Sequence, residues 1–183
     1  RAIKYTLSMD AAQHLREGAE IRSDYLEKVT GSAVYASDVT VPGMLHGKIL
    51  RSPVPHARIK SIDVSGALAM PGVKAVLTGA DLAGLNTHWG LYLKDRPLIA
   101  IDRVRYVGDP VAAVAAVDEF TAEEALDAIL VDYETLPHVT DAEEAMAPGA
   151  PLVHETMEKL KDFYFRGETN ATPGTNVFQH YQW

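Results

Sequence analysis

The sequence predicts an α+β fold with mixed sheets and short strand–helix–strand units. Two stretches carry this prediction. Residues 45–78 read as a strand, a proline-containing bend, a second strand, a short helix and a third strand. Residues 111–133 read as an apolar strand, an amphipathic helix and a return strand. We expect each stretch to contribute a helix that packs against strands.

The first stretch is divided by two prolines, Pro53 and Pro55. Proline has no backbone N–H, so this pair prevents a regular strand from continuing through residues 51–56. We therefore expect the chain to bend there and to pass from one sheet to another.

Beyond the bend, β-prone residues return at Ile59, and Ser65 is placed to cap a helix over residues 66–70. Pro71 and Gly72 end this helix before a strand over residues 73–78. The result is a compact strand–helix–strand unit.

The second stretch begins with residues 111–117, which include no polar side chain, as is typical of a strand covered on both faces. Thr121 and Glu124 have the spacing of a capping box at the start of the next helix. A strand over residues 130–133 follows, and a parallel return to the same sheet would cross over right-handed. The capping-box spacing recurs at Asp141.

Length and composition place the chain among ordinary globular proteins, with 183 residues, 47% of them apolar and 23% charged. The net charge of −8 argues against a nucleic-acid surface, because phosphate binding needs clustered Lys and Arg and the 17 present are scattered. The longest strongly apolar run, residues 111–117, is far shorter than the roughly 20 residues that span a bilayer. We expect a cytoplasmic protein without a membrane span.

The chain lacks the common sequence signatures of catalytic and cofactor sites. It has no cysteine, which excludes a disulfide framework, a thiolate zinc site and a cysteine-ligated iron–sulfur cluster within these residues. It also has no G-x-G-x-x-G motif, no phosphate-binding loop and no G-x-S-x-G serine elbow. Adjacent carboxylates at 123–124 and 143–144 fall in first turns of helices, where capping and the helix dipole account for them. We expect no catalytic, cofactor-binding or metal-ligating residue in this chain.

The histidines show no metal-ligand spacing such as H-x-H or H-E-x-x-H. They are His14, His46, His56, His88, His138, His154 and His180. Surface or structural roles account for them better than metal binding does. Residues 51–56 leave two interpretations open, a bent structural strand and an anion or peptide groove, and the two prolines favour the first.

The character of the sequence changes at residue 156. Residues 167–174 are rich in Gly, Thr, Asn and Pro, and the chain ends on an aromatic, β-prone run that includes Phe178, Tyr181 and Trp183. A strand of this composition would leave its aromatic side chains uncovered unless more protein followed. We therefore expect the chain to be a fragment that ends where a further domain begins.

Residues 24–155 carry a series of short motifs in a fixed order. They include E-K-V-T-G at 27–31, L-R-S-P at 50–53, P-H-A at 55–57, V-R-Y-V-G at 104–108, P-V-A at 110–112, V-D-Y-E at 131–134 and H-E at 154–155. In this order they resemble the α/β hammerhead domain that opens the molybdenum-binding large subunit of the xanthine dehydrogenase, aldehyde oxidase and carbon monoxide dehydrogenase family. The resemblance divides the chain into an N-terminal extension (1–23), the hammerhead domain (24–155), and a linker with the truncated start of a molybdopterin-binding domain (156–183).

The resemblance implies a molybdenum hydroxylase, an oxidoreductase in which water supplies the oxygen inserted at an electron-poor carbon of an aldehyde, purine or N-heterocycle-type substrate. A molybdopterin centre, in plain or cytosine-dinucleotide form, takes up two electrons, which leave through iron–sulfur clusters and usually FAD on partner domains or subunits. The motifs that bind molybdopterin and carry catalysis follow the hammerhead in this family and do not occur here. The resemblance thus implies a structural domain that is inactive alone, within an enzyme that is oligomeric when intact.

Two other functions remain open. The first is a non-catalytic assembly or interaction module that docks electron-transfer subunits. The second is a free-standing domain that binds a small molecule, although no pocket motif supports it. A reading frame that continues beyond Trp183 would weaken the case for the first.

Overall fold

The structure, a computed structural model, describes residues 24–85, 87–90, 94–155 and 171–179. The chain divides into two compact units, residues 1–42 and residues 43–183. None of the described helices is both long and apolar enough to cross a bilayer.

The described part of the first unit contains helix α1 (Tyr25–Thr30) and a 3-10 helix (Ala36–Asp38). Helix α1 ends where Gly31 takes a φ of 74°, a left-handed conformation that glycine adopts without steric cost. Its N–H reaches back to the carbonyl oxygens of Glu27 and Lys28 and so closes the last turn.

The described residues of the second unit form short strands and helices in alternation. In chain order these are β1 (His46–Arg51), β2 (Ala57–Asp63), α2 (Ser65–Ala69), β3 (Val73–Thr78), a 3-10 helix (Gly79–Leu82), β4 (His88–Trp89), β5 (Arg96–Pro97), β6 (Arg103–Val104), β7 (Pro110–Ala116), α3 (Glu119–Asp127), β8 (Leu130–Thr135) and α4 (Ala142–Met146). They build a first sheet in the order β1-β7-β3, a second in the order β6-β2-β8, and a small pair β4-β5. The α+β class is confirmed.

The bend at the two prolines carries the chain between sheets, as predicted. Strand β1 lies in the first sheet and β2 in the second, with residues 52–56 between them. Because Pro53 and Pro55 offer no N–H to a ladder, pairing stops at Arg51 and resumes at Ala57 with new partners.

The expected parallel return after the second helix is wrong. Strand β7 pairs with β1 on one side and with β3 on the other, so it has no open edge for β8. Strand β8 instead pairs with β2 in the second sheet, and every strand pair among the described residues is antiparallel. The sheets are therefore antiparallel where mixed sheets were predicted.

Strand β7 is the centre of the core, although it is not fully covered on both faces. Ala112 and Val114 pack in one apolar cluster with residues of α2 and α3, and Val111 lies in a second cluster under the other sheet. Ile62 and Val131 contact both clusters and join them. Positions 113 and 115, which alternate to the other face, are only half-buried.

Two predicted helix caps are wrong, and aspartates take their place. The carboxylate of Asp63 accepts a hydrogen bond from the Ser65 N–H (2.9 Å), so Ser65 is the first residue of α2 and not its cap. The carboxylate of Asp118 accepts the Thr121 N–H (2.7 Å), because α3 begins two residues earlier than the Thr121 capping box placed it.

The cap predicted at Asp141 is confirmed. One of its carboxylate oxygens accepts the backbone N–H groups of Glu143 (2.9 Å) and Glu144 (3.0 Å) at the start of α4. The two glutamates therefore sit in a helix first turn, as the sequence indicated.

Candidate functional site

The proline bend and the turn before β7 hold each other through backbone hydrogen bonds. The Ser52 N–H donates to the Asp109 carbonyl oxygen (2.8 Å), and the Gly108 N–H donates to the Ser52 carbonyl oxygen (2.8 Å). Ser52 is 2% exposed, and its hydroxyl donates to the Val54 carbonyl oxygen (2.8 Å). These contacts favour the bent structural strand over a groove in residues 51–56.

Asp109 is the buried carboxylate of this turn, with 5% of its surface exposed. Its Oδ2 accepts the backbone N–H of Arg105 (3.0 Å). Burial raises the pKa of the Asp109 carboxyl above its usual value, although hydrogen bonds from Arg105 and Tyr106 act in the opposite direction. Asp109 thus fixes the shape of the turn and is the ionisable group that the fold places under the greatest desolvation here.

Arg105 is a half-buried cation beside the turn. Its Nε donates to the Val153 carbonyl oxygen (3.2 Å), and burial lowers the pKa of its guanidinium below the usual value. Three clefts, of about 310, 260 and 160 Å³, share this side chain in their linings. Arg105 is therefore the charged group most available to the clefts.

Neighbouring charges are used within the domain. The Arg103 guanidinium donates to the Glu155 carboxylate (2.8 Å) and lies 3.4 Å from the Asp102 carboxylate. The hydrogen bond from Arg103 lowers the pKa of the Glu155 carboxyl. His154 Nε2 lies 3.2 Å from the Asp95 carboxylate. These pairs tie residues 153–155 to the loop that precedes β7.

The structure disperses the histidines that the sequence singled out. The Nδ1 of His56 contacts the Pro137 carbonyl oxygen (2.7 Å), whereas the Nδ1 of His138 faces the Leu136 carbonyl oxygen at 3.4 Å. His14 and His180 lie outside the described residues. Across the ranges that the structure describes, no three His, Asp or Glu side chains are grouped so that they could hold a metal ion.

The adjacent carboxylates also lie apart from the clefts. Glu123 belongs to α3, where its carboxylate and that of Glu119 approach the Lys48 ammonium at 3.8 and 2.7 Å. Glu143 and Glu144 lie in α4. Helix capping and surface ion pairing account for these positions.

Sequence reasoning missed the charged cluster around Arg105. The Arg103–Glu155 pair is separated by 52 positions, and Arg105 and Val153 by 48. No local spacing announces such pairs. The only signal was the turn-forming Gly-Asp-Pro at 108–110, which marks Asp109 as a turn residue without indicating its burial.

Comparison with known proteins identifies the fold. Residues 30–137 match the family described as aldehyde oxidase and xanthine dehydrogenase, a/b hammerhead domain. The chain belongs to this family. Its hammerhead domain includes β1 to β8, the bend and the Asp109 turn, so the predicted resemblance is confirmed.

The hammerhead domain has relatives among molybdenum enzymes. It is 44% identical over 151 residues to a probable xanthine dehydrogenase subunit from Bacillus subtilis (strain 168), covering 82% of this chain and 20% of that one. It is 43% identical over 135 residues to the nicotinate dehydrogenase large molybdopterin subunit of Eubacterium barkeri, covering 74% and 32%. The chain therefore spans between a fifth and a third of the length of these relatives.

A solved structure agrees. The reconstituted CO dehydrogenase from Oligotropha carboxidovorans superposes with a TM-score of 0.67 at 40% identity, covering 80% of this chain and 19% of that one. The match joins sequence and fold similarity over most of the hammerhead domain.

The clefts of the hammerhead domain do not fit a molybdopterin. The largest is lined mainly by Pro, Val, Leu and Thr side chains, and Arg105 is its one permanently charged group. A pterin with a phosphate tail needs many converging donors, as in other phosphate sites. The smallest cleft carries three carboxylates, which would repel a phosphate.

Proposed function

We propose that this chain supplies the non-catalytic scaffold domain of a molybdenum hydroxylase large subunit. The intact enzyme would insert oxygen from water at an electron-poor carbon of an aldehyde, purine or N-heterocycle-type substrate. The observation that carries the proposal is the family match over residues 30–137, combined with relatives named as large molybdopterin subunits or dehydrogenase subunits.

The hydrogen-bond pattern supports a structural role. Ser52 and Asp109 are buried polar residues of the described core, and both are engaged in holding the bend to the turn. Arg103 and His154 are paired with carboxylates of the same domain. Side chains committed in this way stabilise loops and are not poised to transfer protons to a substrate.

The proposal assigns the remaining parts as the sequence indicated. Residues 24–155 are the hammerhead domain, residues 1–23 an extension, and residues 156–183 a linker and the start of the molybdopterin-binding domain. Molybdopterin would bind outside this chain, and iron–sulfur clusters and FAD would belong to partner domains or subunits of an oligomer. A cytoplasmic location remains a prediction.

A test replaces the charged group of the clefts in the natural polypeptide that contains this chain. Arg105→Met is expected to keep the molybdenum content and to change kcat for hydroxylation by less than about twofold, with Lys60→Met on exposed strand β2 as the matched control. General acid–base groups contribute about 100-fold or more. A loss of that size in Arg105→Met, with molybdenum content and melting temperature unchanged, would place a catalytic group in this domain.

A further inference from the structure

The first sheet has one face that the described helices leave uncovered. Six residues of β1, β7 and β3 point to it in two rows across the strands: Gly47, Ala115 and Ala75 in one row, and Ile49, Ala113 and Leu77 in the other. We call these six residues the outer apolar face. The opposite face of the same strands holds Ala112 and Val114 against α2 and α3.

The outer apolar face is exposed and carries no polar side chain. Ile49 is 45% exposed and Leu77 36%, Gly47 and Ala75 are also exposed, and the two alanines of β7 are half-buried. A three-stranded sheet packed against helices on one side normally presents polar residues to water on the other. This face departs from that alternation and has the composition of a contact surface.

Gly47 gives a second, independent indication. A Cβ built on it would meet only the Val114 carbonyl oxygen, at 3.9 Å, so the domain itself leaves room for a side chain. Gly47 is not among the glycines with positive φ, so its backbone conformation does not require glycine either. Glycine inside a strand often marks a place where another backbone approaches closely.

The geometry points to a docking site on the outer apolar face for an apolar layer supplied by the rest of the same polypeptide. This inference rests on the proposed function, which places the chain within a longer large subunit. The relatives are three to five times as long as the region they share with this chain, as the 32% and 20% coverages require, so such a subunit has ample chain to provide the layer.

The chemistry of the face favours this occupant over a separate subunit that exchanges electrons. Transient electron-transfer contacts are small and polar at their rims, whereas permanent contacts resemble a hydrophobic core cut in half. The row of Gly47, Ala115 and Ala75 lets a facing backbone approach closely, and Ile49 and Leu77 supply apolar walls beside it. Neither row offers a charge that would select a soluble partner.

The test uses thiol reactivity in the natural polypeptide that contains this chain. These residues include no cysteine, so Ala75→Cys places a thiol on the outer apolar face, and Ser61→Cys places a matched thiol on an exposed position of β2 in the second sheet. The purified polypeptide, without other subunits, is treated with a maleimide. Labelling of the two peptides is followed by mass spectrometry, with the urea-unfolded protein as reference.

We expect Ala75→Cys to react at least about tenfold more slowly than Ser61→Cys in the folded polypeptide, since a covered thiol reacts only on local opening. Equal rates would overturn the inference. Protection that is lost on dilution would identify a second copy as the occupant, and protection that appears only when electron-transfer subunits are added would identify those; either result overturns the assignment.

The same samples are analysed for molybdenum so that the two proposals fail separately. A molybdenum-loaded polypeptide with an unprotected Cys at position 75 contradicts the docking site alone. A folded natural polypeptide that never contains molybdenum contradicts the proposed function, whatever the labelling rates.

Discussion

Asp118 fixes the start of α3 through two hydrogen bonds to one residue. Its carboxylate accepts the Thr121 N–H at 2.7 Å and the Thr121 hydroxyl at 2.9 Å. Asp118→Ala leaves a first-turn N–H without its acceptor, whereas Thr121→Ala removes only the hydroxyl. We expect Asp118→Ala to lower the melting temperature by about 2–4 °C and Thr121→Ala by clearly less. Thermal unfolding of the two variants decides this, and a larger effect of Thr121→Ala would restore the capping box.

Asp109 gives a prediction about pH. Burial raises its folded-state pKa above the usual 3.8, so as pH rises through the interval between these values the unfolded carboxyl ionises first and the folded state loses stability. Asp109→Asn does not titrate. The unfolding free energy of this variant minus that of the wild type should therefore increase with pH across that interval and stay constant above it, in chemical denaturation at a series of pH values.

Asp118→Asn is the matched control, because its sign is opposite. The Thr121 N–H lowers the folded-state pKa of Asp118 below 3.8, so the wild type gains stability as pH rises from that lowered pKa to 3.8 and loses it again on acidification. The same difference should decrease with rising pH for Asp118→Asn. Slopes of equal sign in the two variants would contradict the burial assigned to Asp109.

At the scale of elements, β7 is covered unequally on its two faces. Ala112 is fully buried against the helices, whereas Ala115 is half-buried on the outer apolar face. We expect Ala112→Asp to reduce the unfolding free energy by more than about 3 kcal/mol, because an unpaired carboxylate is placed in an apolar cluster. Ala115→Asp should cost clearly less in this chain. Chemical denaturation checks the order, and equal losses would mean that both faces are covered.

The elements themselves were largely predictable, and their partners were not. Pro53 and Pro55 announce the bend because proline acts on its own backbone, and the apolar run after Pro110 announces β7 for the same local reason. The partner of β8 depends on β7 having both edges occupied by β1 and β3, which no local pattern encodes. The cap at Asp118 was missed because two overlapping capping signals differ by only three positions.

At the scale of the whole molecule, motif order indicated the family and local chemistry indicated little else. The cluster of Arg103, Arg105 and Asp109 forms through contacts with residues about 50 positions away, so it lay beyond sequence reasoning. Its charges are used to hold loops together, which agrees with a scaffold role. The uncovered outer apolar face indicates that the hammerhead domain works by contact with further protein.

The central claim is that this chain provides no ligand for the molybdenum cofactor. Molybdenum analysis of the purified 183-residue chain tests it most directly, with the chain produced in a host that loads the natural polypeptide and its folding checked by cooperative thermal unfolding. We predict no bound molybdenum in the chain and close to one atom in the natural polypeptide prepared in parallel. Molybdenum that co-purifies with the folded chain at close to one atom per molecule would contradict the account.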